Sequence, residues 1–135
     1  MANILYDYAR QCFLEAQINW LTDTIKCILI DTGEYTLDAS TDQYLSDIPS
    51  AARVAGPELL INKTTTGGAA DADDVTFTSV TGESIEAVVI YKDTGEEATS
   101  PLIMCIDMAT GLPITPNGGD MVIAWGDDDN RIFRV

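Results

Sequence analysis

Three apolar runs between residues 74 and 107 give the clearest pattern of hydrophobic and polar positions in the chain. In the first run, Val75 and Phe77 alternate with threonines, so one face of a strand meets a core and the other meets water. In the second run, 85–91, alternate apolar positions fall on one side; the third run, 102–106, is apolar throughout and predicts a strand buried on both faces. Short segments rich in Gly, Asp and Ser separate the runs, so the pattern predicts an antiparallel β-meander.

Residues 3–16 predict an amphipathic helix that precedes the β-rich part of the chain. Asn3 is available as the N-cap of this helix. A helix in this position packs on the sheet or reaches a neighbouring subunit, and the sequence leaves both open. Five apolar residues recur with the spacing of one helical face: Leu5, Ala9, Cys12, Phe13 and Ala16.

A second buried strand is predicted over residues 24–31, which are apolar on both faces except at Lys26. Such a strand lies near the centre of its sheet. Trp20, in the linker before it, is expected to seal the edge of the core. After this strand, the pattern predicts a short edge strand at 35–37 and one helical turn ended by Pro49.

The remaining segments predict short strands joined by turns and loops. Two weak strands are expected over 51–60 and 61–66, with Pro57 at an edge or a bulge because proline cannot donate to a β-ladder. An acidic connection, 67–74, leads into the meander, and a long surface loop follows it at 108–119. Two further strands close the chain, at 121–125 and 131–135.

These elements predict a mainly-β fold in one domain that spans residues 1–135. Many short strands do not make a flat open sheet, so we expect an antiparallel β-sandwich or barrel-like fold with one N-terminal amphipathic α-helix. The helix occupies residues 3–16 and the β-rich body residues 24–135. No internal repeat or linker divides the chain.

The charge of the chain is strongly negative and unevenly placed. Its formal net charge is −15. Residues 71–130 hold 13 acidic residues and one basic residue (−12), and the other 75 residues hold nine acidic and six basic residues (−3). A surface of this sign repels a phosphate backbone, so we expect no direct nucleic-acid partner. Solubility alone also accounts for such a charge.

The cysteines and the N-terminal residues give information on the cellular compartment. Cys12, Cys27 and Cys105 are odd in number, widely spaced and set in apolar segments, so they predict buried free thiols rather than a disulfide framework. Residues 1–11 lack the pattern of a signal peptide, and no run of about 18 or more apolar residues occurs. We therefore expect synthesis in a reducing cytoplasm and no membrane partner.

The inventory of reactive side chains argues against catalysis. The chain contains no histidine, which removes Ser-His and Cys-His nucleophile activation and the usual general base near neutral pH. Carboxylates are so abundant that no pair stands out as a glycosidase dyad. The glycine pairs 67–68 and 118–119 lack the lysine of a phosphate-binding loop. We expect a non-enzymatic protein without a cofactor.

Two loops gather carboxylates that are weak candidates for binding Ca²⁺. Neither matches the twelve-residue calcium loop, which needs a glycine at its sixth position and a glutamate at its twelfth. A solvated turn with a neighbouring charge pair is favoured for the second loop, and no metal site is predicted in either. The residues are Asp71, Asp73 and Asp74 in one loop and Asp127, Asp128 and Asp129 in the other.

Several segments together resemble a family of small virion structural proteins of tailed double-stranded DNA bacteriophages. The resemblance covers nearly the whole chain and is poorest at 56–66, and it carries no reaction motif. The segments are NILYDYARQCFLEAQINWLTDTIKCILIDT, YLSDIPSAARV, DADDVTFTSVTGESIEAVVIYKDTG, TGLPITPNGGDMVIAW and RIFRV.

This resemblance implies a capsid decoration, or cement, protein that binds the outside of the expanded head and stabilises it. The implied location is the virion, and the implied partners are the major capsid protein and further copies of the chain, as a homotrimer. The alternative is a tail- or fibre-associated module that binds a host-surface glycan through Trp20, Trp125 and Tyr91. Exposed aromatic residues favour the glycan, and an exposed apolar patch favours the capsid.

The helix, the loop at 108–119 and the terminal strand are the predicted places for partner contacts. In the terminal strand, Phe133 packs against the core, or Arg131 and Arg134 pair with the acidic half of an adjacent copy, and both stay open. The interface candidates are Leu5, Tyr8, Phe13, Trp20, Pro113, Pro116, Arg131, Phe133 and Arg134.

Overall fold

The computed structural model of the chain describes residues 4–107, 112–125 and 132–134. An α-helix, α1 (Asp7–Leu14), lies near the N-terminus. The strands are β1 (Ile4–Leu5), β2 (Ile25–Ile30), β3 (Arg53–Leu59), β4 (Ala69–Ala70), β5 (Val75–Phe77), β6 (Ala87–Lys92), β7 (Leu102–Ile106), β8 (Met121–Ile123) and β9 (Phe133–Arg134). Short 3₁₀ turns occur at Leu45–Asp47, Ser50–Ala52, Thr66–Gly68 and Glu97–Thr99. The predicted mainly-β fold with antiparallel sheets and an N-terminal helix is confirmed.

The centre of the fold is a five-stranded antiparallel sheet in the order β1-β7-β6-β2-β3. β2, β6 and β7 lie in its interior, and nearly all their side chains are buried whichever face they point to. The continuous apolar runs predicted this arrangement for β2 and β7, because a strand covered on both faces has no polar side. For β6 the sequence predicted one apolar side, and the structure buries both. Lys26 is the half-buried exception in β2, as predicted.

Two short antiparallel ribbons, β4–β9 and β5–β8, accompany the main sheet. The β5–β8 ribbon packs on β3 through Phe77. A Cβ atom at Gly56 would lie 3.0 Å from the Phe77 ring and 3.0 Å from the Cys27 carbonyl oxygen, and Gly56 has φ +102°. Glycine at this position therefore permits both the backbone conformation and the close packing of ribbon on sheet.

The predicted three-stranded meander forms only in part. β6 and β7 pair as expected. β5 pairs instead with β8, placing Val75 opposite Ile123, so the predicted neighbour of β5 was wrong. Ser79 (φ 50°) and Gly82 (φ 118°) adopt left-handed backbone conformations between β5 and β6. Val80, between them, exchanges backbone hydrogen bonds with Gly118 and Gly119, so the chain after β5 continues beside the segment that leads into β8.

The N-terminal helix is shorter than predicted. It begins at Asp7, not at residue 3, because Ile4–Leu5 forms β1 on the edge of the sheet and the Tyr6 amide donates to the Ile103 carbonyl (3.0 Å). Tyr6 is the N-cap and makes no side-chain cap bond. The predicted cap, Asn3, lies outside the described residues. Edge pairing thus satisfies backbone groups that the periodicity assigned to a helix.

The apolar stripe of the helix matches the observed burial at its centre. Ala9 and Cys12 are buried and Phe13 is half-buried, so this face packs on the core. Ala16 is exposed beyond the end of the helix and has φ 59°. Leu14 points away from the core and is 89% exposed.

The segment 31–52 folds as loops and 3₁₀ turns. The helical turn predicted before Pro49 is present at Leu45–Asp47. The edge strand predicted at 35–37 is absent from these described residues. Asp42 Oδ2 accepts from the Tyr35 hydroxyl (2.6 Å) and the Asp38 amide (3.1 Å), so side-chain hydrogen bonds replace a β-ladder there.

Only the first of the two weak strands predicted over 51–66 forms. β3 covers 53–59 at the edge of the sheet, with Pro57 where it needs no ladder donor. Residues 61–66 make only an isolated bridge, Thr64 to Asp71, so the second strand was wrong. The positive φ of Asn62 (53°) bends the chain out of the extended conformation.

Candidate interaction surface

An aromatic cluster joins the helix, the linker and the terminal strand. The ring of Phe133 lies 5.8 Å from that of Phe13 and 5.2 Å from that of Trp20, in the second case edge to face. Trp20 is 4% exposed and Phe133 6% exposed. We call Phe13, Trp20 and Phe133 the aromatic junction. Three predicted interface candidates therefore come together, and two of them are core residues of the folded monomer.

Trp20 is fixed by a hydrogen bond as well as by packing. Its indole Nε1 donates to the carbonyl oxygen of Asp71 at 3.1 Å. Asp71 in turn exchanges backbone hydrogen bonds with Thr64. A buried indole needs such a partner because an unpaired donor away from water is costly.

The other predicted interface candidates are spread over the surface. Leu5 is half-buried in β1, and the half-buried Tyr8 accepts a hydrogen bond from the Tyr44 hydroxyl at 3.0 Å. In the loop, Pro113 is exposed and Pro116 half-buried. The described residues do not bring these four candidates together into one site.

Only one of the two candidate arginines, Arg134, lies among the described residues. The backbone of Arg134 pairs with Ala69 in the β4–β9 ribbon. Arg131 lies outside the described residues. The predicted pairing of both with an adjacent copy stays a prediction.

Ionic contacts hold the linker 17–23 on the sheet. Lys92 Nζ lies 3.2 Å from Asp23 Oδ2 and donates to the Gln17 carbonyl at 2.8 Å. Lys63 Nζ donates to the carbonyl of Asp23. Asp23 Oδ2 also accepts from the amide of Asn19 at 2.7 Å. The backbone of the linker is therefore fixed at both ends.

Three aliphatic side chains that are not among the predicted interface candidates are exposed in or near this linker. Leu21 is 51% exposed, Leu59 50% and Ile61 52%. Between the last two, Leu60 is 1% exposed, because alternate residues of an extended segment face opposite sides. We call Leu21, Leu59 and Ile61 the aliphatic ridge.

Hydrogen bonds bring together the backbone segments that carry the members of the ridge. Segment 20–23 is tied at Trp20 to the carbonyl of Asp71 and at Asp23 to the side chain of Lys63. Residues 61–64 pair with 71–73, since the Asp73 amide donates to the Ile61 carbonyl at 3.0 Å. Leu21 thus lies on a segment that is tied to residues near the end of β3, where Leu59 and Ile61 are exposed. Exposed aliphatic residues on neighbouring segments are typical of an interaction surface.

The acidic loop 71–74 borders the ridge. Asp73 Oδ2 accepts from the Asn62 amide nitrogen at 2.5 Å, and Asp74 Oδ1 accepts from the Trp125 backbone amide at 3.2 Å. The Trp125 indole donates to the Asp73 carbonyl at 2.9 Å. These bonds order the loop and leave its negative charge beside the aliphatic residues.

No metal centre is built from the described residues. Among them, no group of three or more His, Cys, Asp or Glu side chains is arranged to hold a metal ion. The oxygens of Asp73 and Asp74 instead accept the hydrogen bonds given above. The second candidate cluster, Asp127, Asp128 and Asp129, lies outside the described residues.

The described basic side chains are used inside the molecule. Lys26 Nζ lies 2.6 Å from Asp93 Oδ2, and its hydrogen bond, with that of the Gly95 amide, holds the pKa of the Asp93 carboxyl below its usual range. Arg53 donates to the carbonyl oxygens of Leu45 (2.9 Å) and Ile48 (2.7 Å). Intramolecular contacts to carboxylates are made by Arg10, Lys26, Arg53 and Lys92.

The thiols are buried and have no described reactive partner. Burial raises the pKa of Cys27 and that of Cys105 to about 12, and it also raises the pKa of Cys12. A thiol of this kind is protonated at neutral pH and is a poor nucleophile. All three pack as small hydrophobic residues in the core.

The aromatic residues proposed for glycan binding differ in accessibility. Trp20 is 4% exposed and Tyr91 3% exposed, so neither offers a ring face to a sugar. Trp125 is half-buried beside Asp73 and Asp74. A stacking platform of three aromatic rings is therefore not formed.

Family models and curated proteins identify no relative. No family model matches the chain, and a search of curated proteins finds no match. In the part of the chain that the structure describes, no helix has the length and apolar character needed to cross a membrane. A functional assignment therefore depends on the surface described above and on the resemblance noted in the sequence.

Proposed function

We propose that the protein is a non-enzymatic virion structural protein of a tailed double-stranded DNA bacteriophage. Its role in this proposal is capsid decoration: it binds the outside of the expanded head and stabilises it. The observation that carries the proposal is the aliphatic ridge, Leu21, Leu59 and Ile61, exposed on a chain of net charge −15. A cement protein works by burying apolar surface across joints between capsid subunits, and the ridge supplies such surface.

The rigid backing of the ridge supports the same role. Trp20 and Leu60, the direct neighbours of Leu21, Leu59 and Ile61 in sequence, are buried in the core. Lys92 and Lys63 fix the backbone that carries Leu21. A surface that is already ordered loses little conformational entropy on binding, so more of its apolar contact contributes to affinity.

The expected partner surface is apolar with a basic border. The ridge would contact apolar residues of the major capsid protein, and the carboxylates of the loop 71–74 would face lysine or arginine side chains. Copies around a local threefold axis would each present the same ridge, in agreement with a homotrimer.

Stabilisation of the head would follow from mass action. A protein that binds the expanded shell and not its precursor lowers the free energy of the expanded state at each occupied site. At a free concentration of 100 times Kd, each site contributes about 2.7 kcal/mol. Many sites on one shell then raise its resistance to heat.

The alternative, a tail- or fibre-associated module that binds a host-surface glycan, has less support. It requires exposed aromatic rings, and only Trp125 among the three candidates is even partly accessible. We therefore retain decoration as the proposed function.

The test is to add the purified protein to expanded heads assembled without it. Saturable binding at a copy number proportional to the number of capsid subunits, with a higher temperature of head disruption, is expected. Unexpanded heads serve as the control and should bind little. Absence of saturable binding to expanded heads would remove the decoration proposal.

A further inference from the structure

A cavity of about 450 Å³ opens beside the loop 31–37, and its described lining includes no residue of the aliphatic ridge. Its volume lies within the range of about 300 to 1,000 Å³ that is usual for small-molecule sites. Tyr35, Leu37 and Pro113 give it apolar walls, with Cys105 of the central sheet also in the lining. Thr32, Thr36 and Glu86 bring polar groups to the same space, and Asp107 lines it as well.

The carboxylate of Glu86 is held in place by neutral donors. Its Oε1 accepts from the amide (3.0 Å) and the hydroxyl (3.2 Å) of Thr32, and its Oε2 accepts from the Ser84 hydroxyl. A carboxylate offers about four acceptor positions, so one remains for a ligand. These bonds fix the direction of the carboxylate and leave its charge in place.

No described cation neutralises Glu86. The described ion pairs involve Asp7, Asp23, Asp93 and Glu97, and Glu86 makes none of them. None of the described residues that line the cavity is basic. A fixed, half-buried negative charge on a partly apolar wall is complementary to a cation.

Tyr35 forms a buried part of the apolar wall. Its hydroxyl donates to Asp42 Oδ2 (2.6 Å) and lies 3.0 Å from the hydroxyl of Tyr6, so both contacts direct it into the protein. The side chain is 6% exposed, so it offers the cavity a small apolar surface and no open ring face. Together with Leu37 and Pro113, this surface suits an aliphatic stem.

We infer that this cavity binds an organic cation, an ammonium or guanidinium group carried on a short apolar stem. Glu86 receives the charged group, and Tyr35, Leu37 and Pro113 pack against the stem. The cation is a free small amine or a basic side chain of a partner protein, which share this chemistry. The inference is independent of the proposed function, because it involves neither the ridge nor a capsid.

The test uses the full-length protein labelled with ¹⁵N and two cationic probes. One probe is n-butylamine and the other is acetyl-Gly-Arg-Gly-amide; n-butanol and acetyl-Gly-Gln-Gly-amide are the neutral controls. Saturable shifts of the Thr32, Tyr35 and Leu37 amides are expected with the cations and not with the neutral controls. Binding of the amine alone indicates a free small ligand, and equal or tighter binding of the peptide indicates a partner's side chain.

Two variants and one control assign the site. Glu86→Gln should weaken binding by at least about tenfold, because a charge-assisted hydrogen bond is lost. Glu34→Gln removes the same charge from an exposed residue of the loop 31–37 that does not line the cavity, and it should change affinity by less than about twofold. Thr36→Phe should fill the mouth of the cavity and abolish binding of the cation. If the Glu86→Gln protein does not fold, Thr36→Phe alone tests whether the cation binds in the cavity.

The outcomes that overturn the inference are distinct from those that concern the capsid. The inference is overturned if neither cation causes saturable shifts of the amide signals. Equal losses of affinity in Glu86→Gln and Glu34→Gln overturn the inference as well, because they indicate diffuse attraction of the cation by the acidic surface. Binding that survives Thr36→Phe places the cation elsewhere and has the same consequence.

Discussion

The aromatic junction and the aliphatic ridge lie side by side, yet they have opposite exposure. Trp20 and Leu21 are consecutive residues; the first is 4% exposed and the second 51%. Trp20 packs on Phe133 and donates to the Asp71 carbonyl, whereas the Leu21 side chain projects from the same fixed linker. Large aromatic residues stabilise the monomer here, and medium-sized aliphatic residues stay exposed, where the proposed contact with a partner would form.

This difference separates stability from association. A side chain in the junction contributes to folding, so its removal lowers the free energy of unfolding of the monomer. A ridge side chain is half in water in the monomer, so its remaining apolar surface is worth about 25 cal/mol per Å² only when a partner covers it. Substitutions in the two regions should therefore affect different measurements.

The largest effect on stability is expected from Trp20→Ala. It removes the ring contact with Phe133 and the hydrogen bond to Asp71, and it leaves a cavity where helix, linker and terminal strand meet. Urea unfolding should show a loss of about 3–5 kcal/mol. Trp20→Phe keeps part of the packing and should lose less. If Trp20→Ala unfolds like the wild type, the junction is not part of the core.

A smaller effect is expected from Lys92→Met, which frees the linker that carries both Trp20 and Leu21. The change removes the contacts of Lys92 with Asp23 and the Gln17 carbonyl. Thermal and urea unfolding should show a loss of about 1–2 kcal/mol. The matched control is Arg10→Met, whose ion pair with Asp7 is exposed and should be worth less than about 0.5 kcal/mol. Equal effects would mean that the linker is not held by Lys92.

The ion pair between Lys26 and Asp93 predicts a pH dependence. The pKa of Asp93 is lowered in the folded protein from its ordinary value of 3.8, so the folded state binds the proton less well than the unfolded state. Its stabilising contribution is present above about pH 4 and is lost as the pH falls through the lowered folded pKa. The contribution should be about 1 kcal/mol or less.

Unfolding free energies of the wild type and of Asp93→Asn, measured between pH 6 and pH 2, check this prediction. The two curves should differ above pH 4 and converge as the acid limit is approached. A constant difference over the whole range would show that Asp93 does not titrate as its contacts require.

The smallest effect on stability is expected from the ridge itself. Leu21→Ser combined with Ile61→Ser changes two half-exposed side chains and should shift the unfolding free energy by less than about 1 kcal/mol, about 0.5 kcal/mol for each site. A loss comparable to that of Trp20→Ala would place the ridge in the core and erase the contrast between the two regions.

The interior of the sheet could be predicted from the sequence because its signal is local and strong. The runs 24–31, except at Lys26, and 102–106 are apolar on both faces, and β2 and β7 are buried on both faces. The run 85–91 predicted one apolar side, and β6 is buried on both. The segment between β5 and β6 could not be interpreted in this way. It pairs with residues distant in sequence, Val80 with Gly118 and Gly119, and local composition does not specify such a partner.

The start of the helix and the aliphatic ridge could not be predicted for a related reason. Helical periodicity extended through Leu5, yet pairing with β7 takes Ile4–Leu5 into the sheet, and only the tertiary fold decides that competition. The run Leu59-Leu60-Ile61 held a usable signal, since an extended segment must turn its first and third residues to the same side. Which side meets water depends on what covers β3.

The most direct test of the central claim is binding to expanded heads by the variant with Leu21→Ser and Ile61→Ser. The matched control is Val122→Ser, which changes a side chain on β8 that is 61% exposed and lies outside the ridge. Both variants should be as stable as the wild type. We expect the ridge variant to lose affinity by at least about tenfold while Val122→Ser binds as the wild type does. Equal binding by all three proteins would contradict the assignment of the ridge as the contact surface.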